Sequence, residues 1–220
     1  MPDTVVVFAG GPKPSRSALA AVPPGAPVIA ADAGAEHALA HGLRVEAAVG
    51  DFDSLSVAAL AALERNVDRI ERHAAAKDAT DLELALDVAL TFDPRRVLVV
   101  GGVGGRLDHL IGELSLLASD SYAHVELDAV LGRASVHVVR RERSLSGRRG
   151  ALVSLLALHG PAVGVRTEGL VYPLRGETLP AGSTRGISNV FAAEEARISL
   201  RRGVLLAIKP YSGRAGNGSS

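Results

Sequence analysis

The segment Arg95 to Ser119 reads RRVLVVGGVGGRLDHLIGELSLLAS. Its opening, RRVLVVGG, is an unbroken apolar run closed by two glycines, the pattern of a strand buried on both faces. DHLIGELSLLAS, from Asp108 to Ser119, then repeats its apolar residues at helical spacing. A buried strand, a glycine turn and a helix together form half of a β-α-β unit.

Working outward, the same alternation fills the first half of the chain. TVVVFAG (Thr4 to Gly10) reads as a buried strand entering a Gly-Gly-Pro turn, and APVIAAD (Ala26 to Asp32) as a second. AEHALAHG is helical, with its stop at Gly42. EAAVGD is a short third strand, SVAALAALERN an amphipathic helix and DRIERH a weak strand. TDLELALDVALTF (Thr80 to Phe92) is a helix that ends before Pro94. Strands separated by helices of this length predict a mostly parallel sheet with helices on both faces, a Rossmann-like α/β fold.

Beyond about Ala118 the texture changes. AHVELDAVLG, ASVHVVRR, GALVSLLALHG, AVGVRTEG, EARISLRRG and VLLAIKP are short, β-rich and separated by Gly, Pro and Ser. That pattern predicts an antiparallel sandwich or barrel. The expected organisation is residues 1–120 as the α/β domain, 121–211 as the β domain, and 212–220 as a disordered tail of Gly, Ser and Asn.

Composition narrows the function. The 220 residues carry no cysteine, which excludes disulfides, thiolate metal sites and cysteine nucleophiles. A net charge of +0 gives no electrostatic footprint for nucleic acid. No apolar run approaches a membrane span and the N-terminus lacks a basic leader, so a cytoplasmic protein without membrane or nucleic-acid partners is expected. Lysine occurs only at Lys13, Lys77 and Lys209, which makes each worth weighing.

In open parallel sheets, ligands bind beyond the carboxyl ends of the strands. Asp32 ends the second strand there, and Asp51 and Asp53 end the third. Lys77, Asp78 and Asp81 fall between the weak strand and its helix. Gly104, Gly105, Arg106 and Asp108 follow the strand at Val97 to Val100. Carboxylates gathered by four turns favour a hard divalent cation and a phosphate over a set of polar turns. Arg106 offers a bidentate fork and the glycine turn exposes backbone N–H groups. Local structure accounts for part of this, since Thr80 and Glu83 form a capping box with Asp81 in the first helical turn.

Six pieces, in order, resemble the thiamine pyrophosphokinase family: ADAGA (Ala31 to Ala35), VGDFDSL (Val49 to Leu55), KDATDLELAL (Lys77 to Leu86), GGRLDH (Gly104 to His109), TEGLVYPL (Thr167 to Leu174) and GISN (Gly186 to Asn189). The resemblance implies an N-terminal α/β nucleotide domain, a C-terminal antiparallel β-sandwich for thiamine, and a homodimer with active sites at the subunit interface. It implies Mg2+-dependent transfer of pyrophosphate from ATP to thiamine. It further implies that Asp51, Asp53 and Asp81 hold the metal, and that Asp32, Lys77, Gly104, Gly105, Arg106 and His109 bind ATP. Asp51, Asp53, Asp81, Arg106 and Asp108 are the implied catalytic set, with Asp53 or Asp108 as proton acceptor. Thr80, Ser188 and Asn189 fall on the thiamine side, and Tyr172 or Phe191 could stack on its rings. The family's usual ADGGAN is ADAGAE here; Glu113 and Val190 replace a common asparagine and acid. These departures leave two alternatives: another hydroxyalkyl heterocycle as acceptor, such as a pterin, or a non-catalytic nucleotide-binding module.

Overall fold

The structure is a computed structural model that describes residues 2–53, 55–74 and 78–210. It divides into two compact units, one of residues 1–113 and 125–132, the other of 114–124 and 133 onward.

The first unit is built on six parallel strands: β1 (Thr4–Phe8), β2 (Val28–Ala31), β3 (Val45–Gly50), β4 (Val67–Arg72), β5 (Arg96–Gly101) and β6 (Glu126–Leu131). Their order is β4-β3-β2-β1-β5-β6. β1 lies in the middle and all five of its residues are buried, as its unbroken apolar run requires. Helices α1 (Arg16–Leu19), α2 (Gly34–Ala40), α3 (Val57–Asn66), α4 (Asp81–Leu90) and α5 (Leu107–Leu117) follow strands in turn. One face of the sheet presents Val6, Phe8, Val28, Ala30, Ala48, Leu98 and Val100 to Ala18, Ala35, Ala38 and Leu63 from α1, α2 and α3. α4 packs on β1, β2 and β3 and contributes nothing to that cluster, so it covers the other face. The doubly covered parallel sheet read from the sequence is what forms.

One element was read differently. Glu126–Leu131 has the texture of the second half, yet it pairs in parallel with β5, from Arg96↔Glu126 to Gly101↔Leu131. The helix before it returns the chain to the sheet, and buried Asp128 accepts a hydrogen bond from Arg96 Nε at 2.8 Å across the pair. An antiparallel partner for this strand was therefore the wrong expectation.

The second unit is antiparallel: β7 (Ala134–Val139), β8 (Glu142–Ser146), β9 (Leu152–Glu168), β10 (Arg175–Leu179), β11 (Asn189–Val190), β12 (Glu195–Ser199) and β13 (Arg202–Lys209). GALVSLLALHG and AVGVRTEG, expected as two strands, are one strand of 17 residues. His159 and Gly160 take positive φ values of 57° and 132° midway along β9, where the strand bends. Before the bend β9 pairs with β13, and beyond it mainly with β10 and β12. The apolar faces of both halves meet in one core, which holds Leu155, Val165, Phe191, Ile198 and Leu205. This is the sandwich arrangement.

Candidate active site

Parallel strands place all their carboxyl ends on one edge, so the acids that follow β2 and β3 are neighbours for a topological reason. Asp32 comes directly after β2 and its backbone N–H donates to Val49 O on β3 at 2.8 Å. Its φ of 45° turns the chain sharply into α2, an excursion that short polar side chains tolerate best. Two residues later, a Cβ on Gly34 would collide with the Phe8 carbonyl, so α2 approaches β1 as closely as it does only because glycine stands there. Ala33, where the family usually has glycine, has an ordinary helical φ of −58° and needs no such freedom.

Asp51, Phe52 and Asp53 continue from β3. Phe52 adopts φ 58° and buries its ring in the first unit's core, leaving 3% exposed. That plug turns the acids on either side away from the core. The Asp53 N–H donates to Asp51 Oδ1 at 3.2 Å. Asp81 opens α4, whose N-cap Thr80 accepts the Glu83 N–H on its Oγ1 at 3.2 Å. Half of the expected capping box is thus in place, and it sets where Asp81 begins its helix.

These acids act on one another. The charge of Asp51 is the largest influence holding the Asp53 carboxyl above the usual carboxylate range. Lost hydration, a hydrogen bond with Asp51 and the charges of Asp32 and Asp81 add to it. Four aspartates from three turns therefore gather at a single edge. Among the described residues, no three Asp, Glu or His side chains form a ready-made metal cage. The donor set still suits Mg2+, which binds through one or two carboxylates and keeps waters and substrate phosphates for the rest.

The loop after β5 carries Gly104 and Gly105, with φ 138° and 73°, and Arg106, and the first turn of α5 carries Asp108 and His109, all exposed. Arg106 donates to Asp108 through Nε at 3.2 Å and Nη2 at 2.6 Å. This fork holds the Asp108 carboxyl below its usual range. Arg106 and Asp108 form their own pair. Lys77 lies outside the described residues.

In the second unit, Ser188 is exposed at φ 57° and its N–H donates to Ser154 Oγ at 3.1 Å. Asn189 is buried and spends its side chain on backbone: Oδ1 accepts from Tyr172 N at 3.1 Å and Val190 N at 2.8 Å, and Nδ2 donates to Tyr172 O at 2.7 Å. Phe191, considered as a stacking platform, is fully buried against Gly147 in the sandwich core and is unavailable for stacking. Tyr172 is 65% exposed. Sequence reasoning noted the Gly-Gly-Pro turn after β1 and Lys13 but gave them no role, and it passed over the residues that hold Phe52; a lysine between Pro12 and Pro14 was the visible signal for the first.

Comparison with known proteins bears on the whole chain. The family model for the thiamin pyrophosphokinase catalytic domain matches residues 26–127, and that for the thiamin pyrophosphokinase vitamin B1 binding domain matches 135–205. The chain belongs to the thiamin pyrophosphokinase family. It is 27% identical over 212 residues to thiamine pyrophosphokinase of Bacillus subtilis (strain 168), covering 94% of this chain and 98% of that one. The crystal structure of thiamine pyrophosphokinase from Bacillus subtilis matches with a TM-score of 0.83 at 25% identity, covering 96% of this chain and all of the other. Thiamin pyrophosphokinase from Candida albicans shares the fold, with a TM-score of 0.75 at 14% identity and coverage of 94% and 89%. Among the described residues, no helix is long and apolar enough to cross a membrane.

Proposed function

We propose that the protein transfers pyrophosphate from ATP to the hydroxyl of thiamine, giving thiamine diphosphate and AMP with Mg2+. The observation that carries this reading is the gathering of Asp32, Asp51, Asp53 and Asp81 at one sheet edge in a chain of this family. The charges of Asp51, Asp32 and Asp81 all oppose ionisation of Asp53, and a site with no cation to hold has no use for that. The family models, matching 26–127 and 135–205, support a nucleotide domain followed by a thiamine domain, with β6 on the nucleotide side of the boundary expected at 120. Matches to both halves favour thiamine over a pterin or a purely binding role.

The thiamine hydroxyl oxygen forms a bond to the β-phosphorus of ATP. The bond from that phosphorus to the bridging α-β oxygen breaks, AMP leaves with the electron pair, and the hydroxyl proton passes to a base. Asp51, Asp53 and Asp81 would hold Mg2+, which supplies charge neutralisation on the transferred group and the leaving oxygen when bound. Asp32, Lys77, His109 and the N–H groups of Gly104 and Gly105 position the nucleotide, and Arg106 turns its fork from Asp108 to a phosphate. A carboxylate near the hydroxyl accepts its proton, and Asp53 and Asp108 are the candidates. Thr80 in the first unit and Ser188 in the second are each assigned to thiamine binding, with Asn189 shaping the turn that carries Ser188. The working form is a homodimer, a reading supported by apolar side chains exposed around Asn189: Leu152, Val171, Tyr172 and Ile187.

AMP release from ATP and Mg2+, measured with and without thiamine, tests the assignment. AMP that appears only with thiamine, matched by thiamine diphosphate, is expected. AMP production indifferent to thiamine would point to another acceptor, and ATP binding without AMP under any acceptor to a non-catalytic module.

A further inference from the structure

The strand order of the first unit marks a place that the aspartates do not occupy. From β1 the chain steps outward through β2, β3 and β4, then returns to lay β5 on the other side of β1. The order reverses between β1 and β5, and in an open parallel sheet the crevice beyond that reversal receives the ligand. Two loops line it: 9–15 after β1, and 102–106 after β5.

The first of these loops is held firmly. Ala9 N donates to Val100 O at 2.9 Å, and His37 Nε2 on α2 pairs with Gly11 O at 2.9 Å. A Cβ on Gly102 would strike the Pro12 carbonyl, so the two loops touch through a glycine. Pro14 is buried, and Ser15 caps α1 while its Oγ donates to Gly132 O past the end of β6. Between two prolines whose rings restrict the backbone stands Lys13, exposed and without a hydrogen bond or ion pair among the described residues. Arg106, on the facing loop, pairs with Asp108 before it turns to a phosphate, whereas Lys13, among the described residues, has no such pair to leave.

We propose that Lys13 is a phosphate-contacting residue of the nucleotide site, its ammonium meeting the polyphosphate above the ends of β1 and β5. The proposal rests on ATP being the donor. A polyphosphate reaching an edge that carries four aspartates needs positive charge from the protein as well as from the metal. Lysine supplies it as a point charge on a flexible stem, and the anchored loop keeps the base of that stem at the crevice.

The test is titration calorimetry on the full chain with ATP, AMP and adenosine, in Mg2+ and without thiamine, for the wild type, Lys13→Ala and Lys13→Arg. Lys13→Ala should weaken ATP binding by about tenfold or more, as loss of a charged hydrogen bond does. Adenosine should bind unchanged, AMP should lose less than ATP, and Lys13→Arg should keep most of the affinity. The thermal midpoint should not move, because the side chain is exposed. Unaltered ATP affinity in Lys13→Ala, or an equal loss for adenosine, would overturn the phosphate contact. A wild-type chain that binds no ATP would overturn the donor assignment itself, and the proposal with it.

Discussion

The Arg72 guanidinium lies over the Phe52 ring, 5.8 Å from its centroid, while Arg72 Nη2 donates to Glu64 on α3 at 2.8 Å. The phenylalanine that separates the two acids of GDFDS is thus gripped from below by the core and from above by a cation on β4. Its positive φ is unfavourable for so bulky a residue, and burial of the ring offsets that strain. Phe52→Ala should cost about 3 kcal/mol of stability and raise the Mg2+ concentration needed for half-maximal activity, because the acids lose their anchor. Arg72→Ala should cost about 1 kcal/mol or less. Urea unfolding with a Mg2+ titration checks both; equal effects would place the anchor elsewhere.

Asp53→Asn should reduce turnover by about a hundredfold or more while leaving the fold intact, since it removes a charge and almost no volume. Stability should move the other way. The Asp53 carboxyl is raised in the folded protein, chiefly by Asp51, so its ionisation opposes folding. That penalty is absent below the unfolded value of about 3.9 and complete once pH has passed the raised folded value. The variant should therefore melt higher than wild type at neutral pH, with the gap closing in acid and narrowing when Mg2+ is added. Thermal melts across pH with and without Mg2+ measure this; a variant less stable at neutral pH would contradict the crowding of charges.

Asn189→Ala should act through structure first. Its side chain satisfies two backbone N–H groups and one carbonyl in a buried position. Leaving those unpaired should cost about 1–3 kcal/mol and lower the melting temperature before any effect on thiamine is considered. Unchanged stability with a raised thiamine KM would return Asn189 to direct contact.

Ser188→Ala removes an exposed hydroxyl beside that turn without touching its backbone bond to Ser154. Steady-state kinetics should show a higher apparent KM for thiamine and an unaltered KM for ATP. The reverse pattern would misplace the GISN turn.

Thr80→Ala should cost about 1 kcal/mol, the usual loss of an N-cap, and loosen the first turn of α4 that carries Asp81. Thr80→Ser should restore most of it. Denaturant curves for the pair separate capping from a thiamine contact, since a contact that needs the methyl group would not be rescued.

Much of this protein is legible along the chain because its determinants are local. Unbroken apolar runs mark buried parallel strands, Gly42 and Pro94 mark helix ends, and Asp32, Asp51 and Asp53 fall at strand ends whatever the strand order. Thr80 caps α4 through a residue three places on. Six motifs in sequence order point to the family without reference to the fold.

What escaped the sequence depends on partners far apart in it. Glu126–Leu131 looks like any short β segment, and only its register with β5 makes it parallel. The bend in β9 follows from the competing partners β13, β10 and β12. Phe191 is aromatic near a motif, but core packing buries it. Asn189 reaches back 17 residues to Tyr172, and Arg72 crosses from β4 to Phe52. The sequence by itself determined which residues are acids, strands and caps, since propensity and hydrophobic period act over a few residues. Tertiary structure alone decided which acids share a charge field, which cation is engaged, and that Lys13 stands where the strand order reverses, because electrostatics and packing act through space.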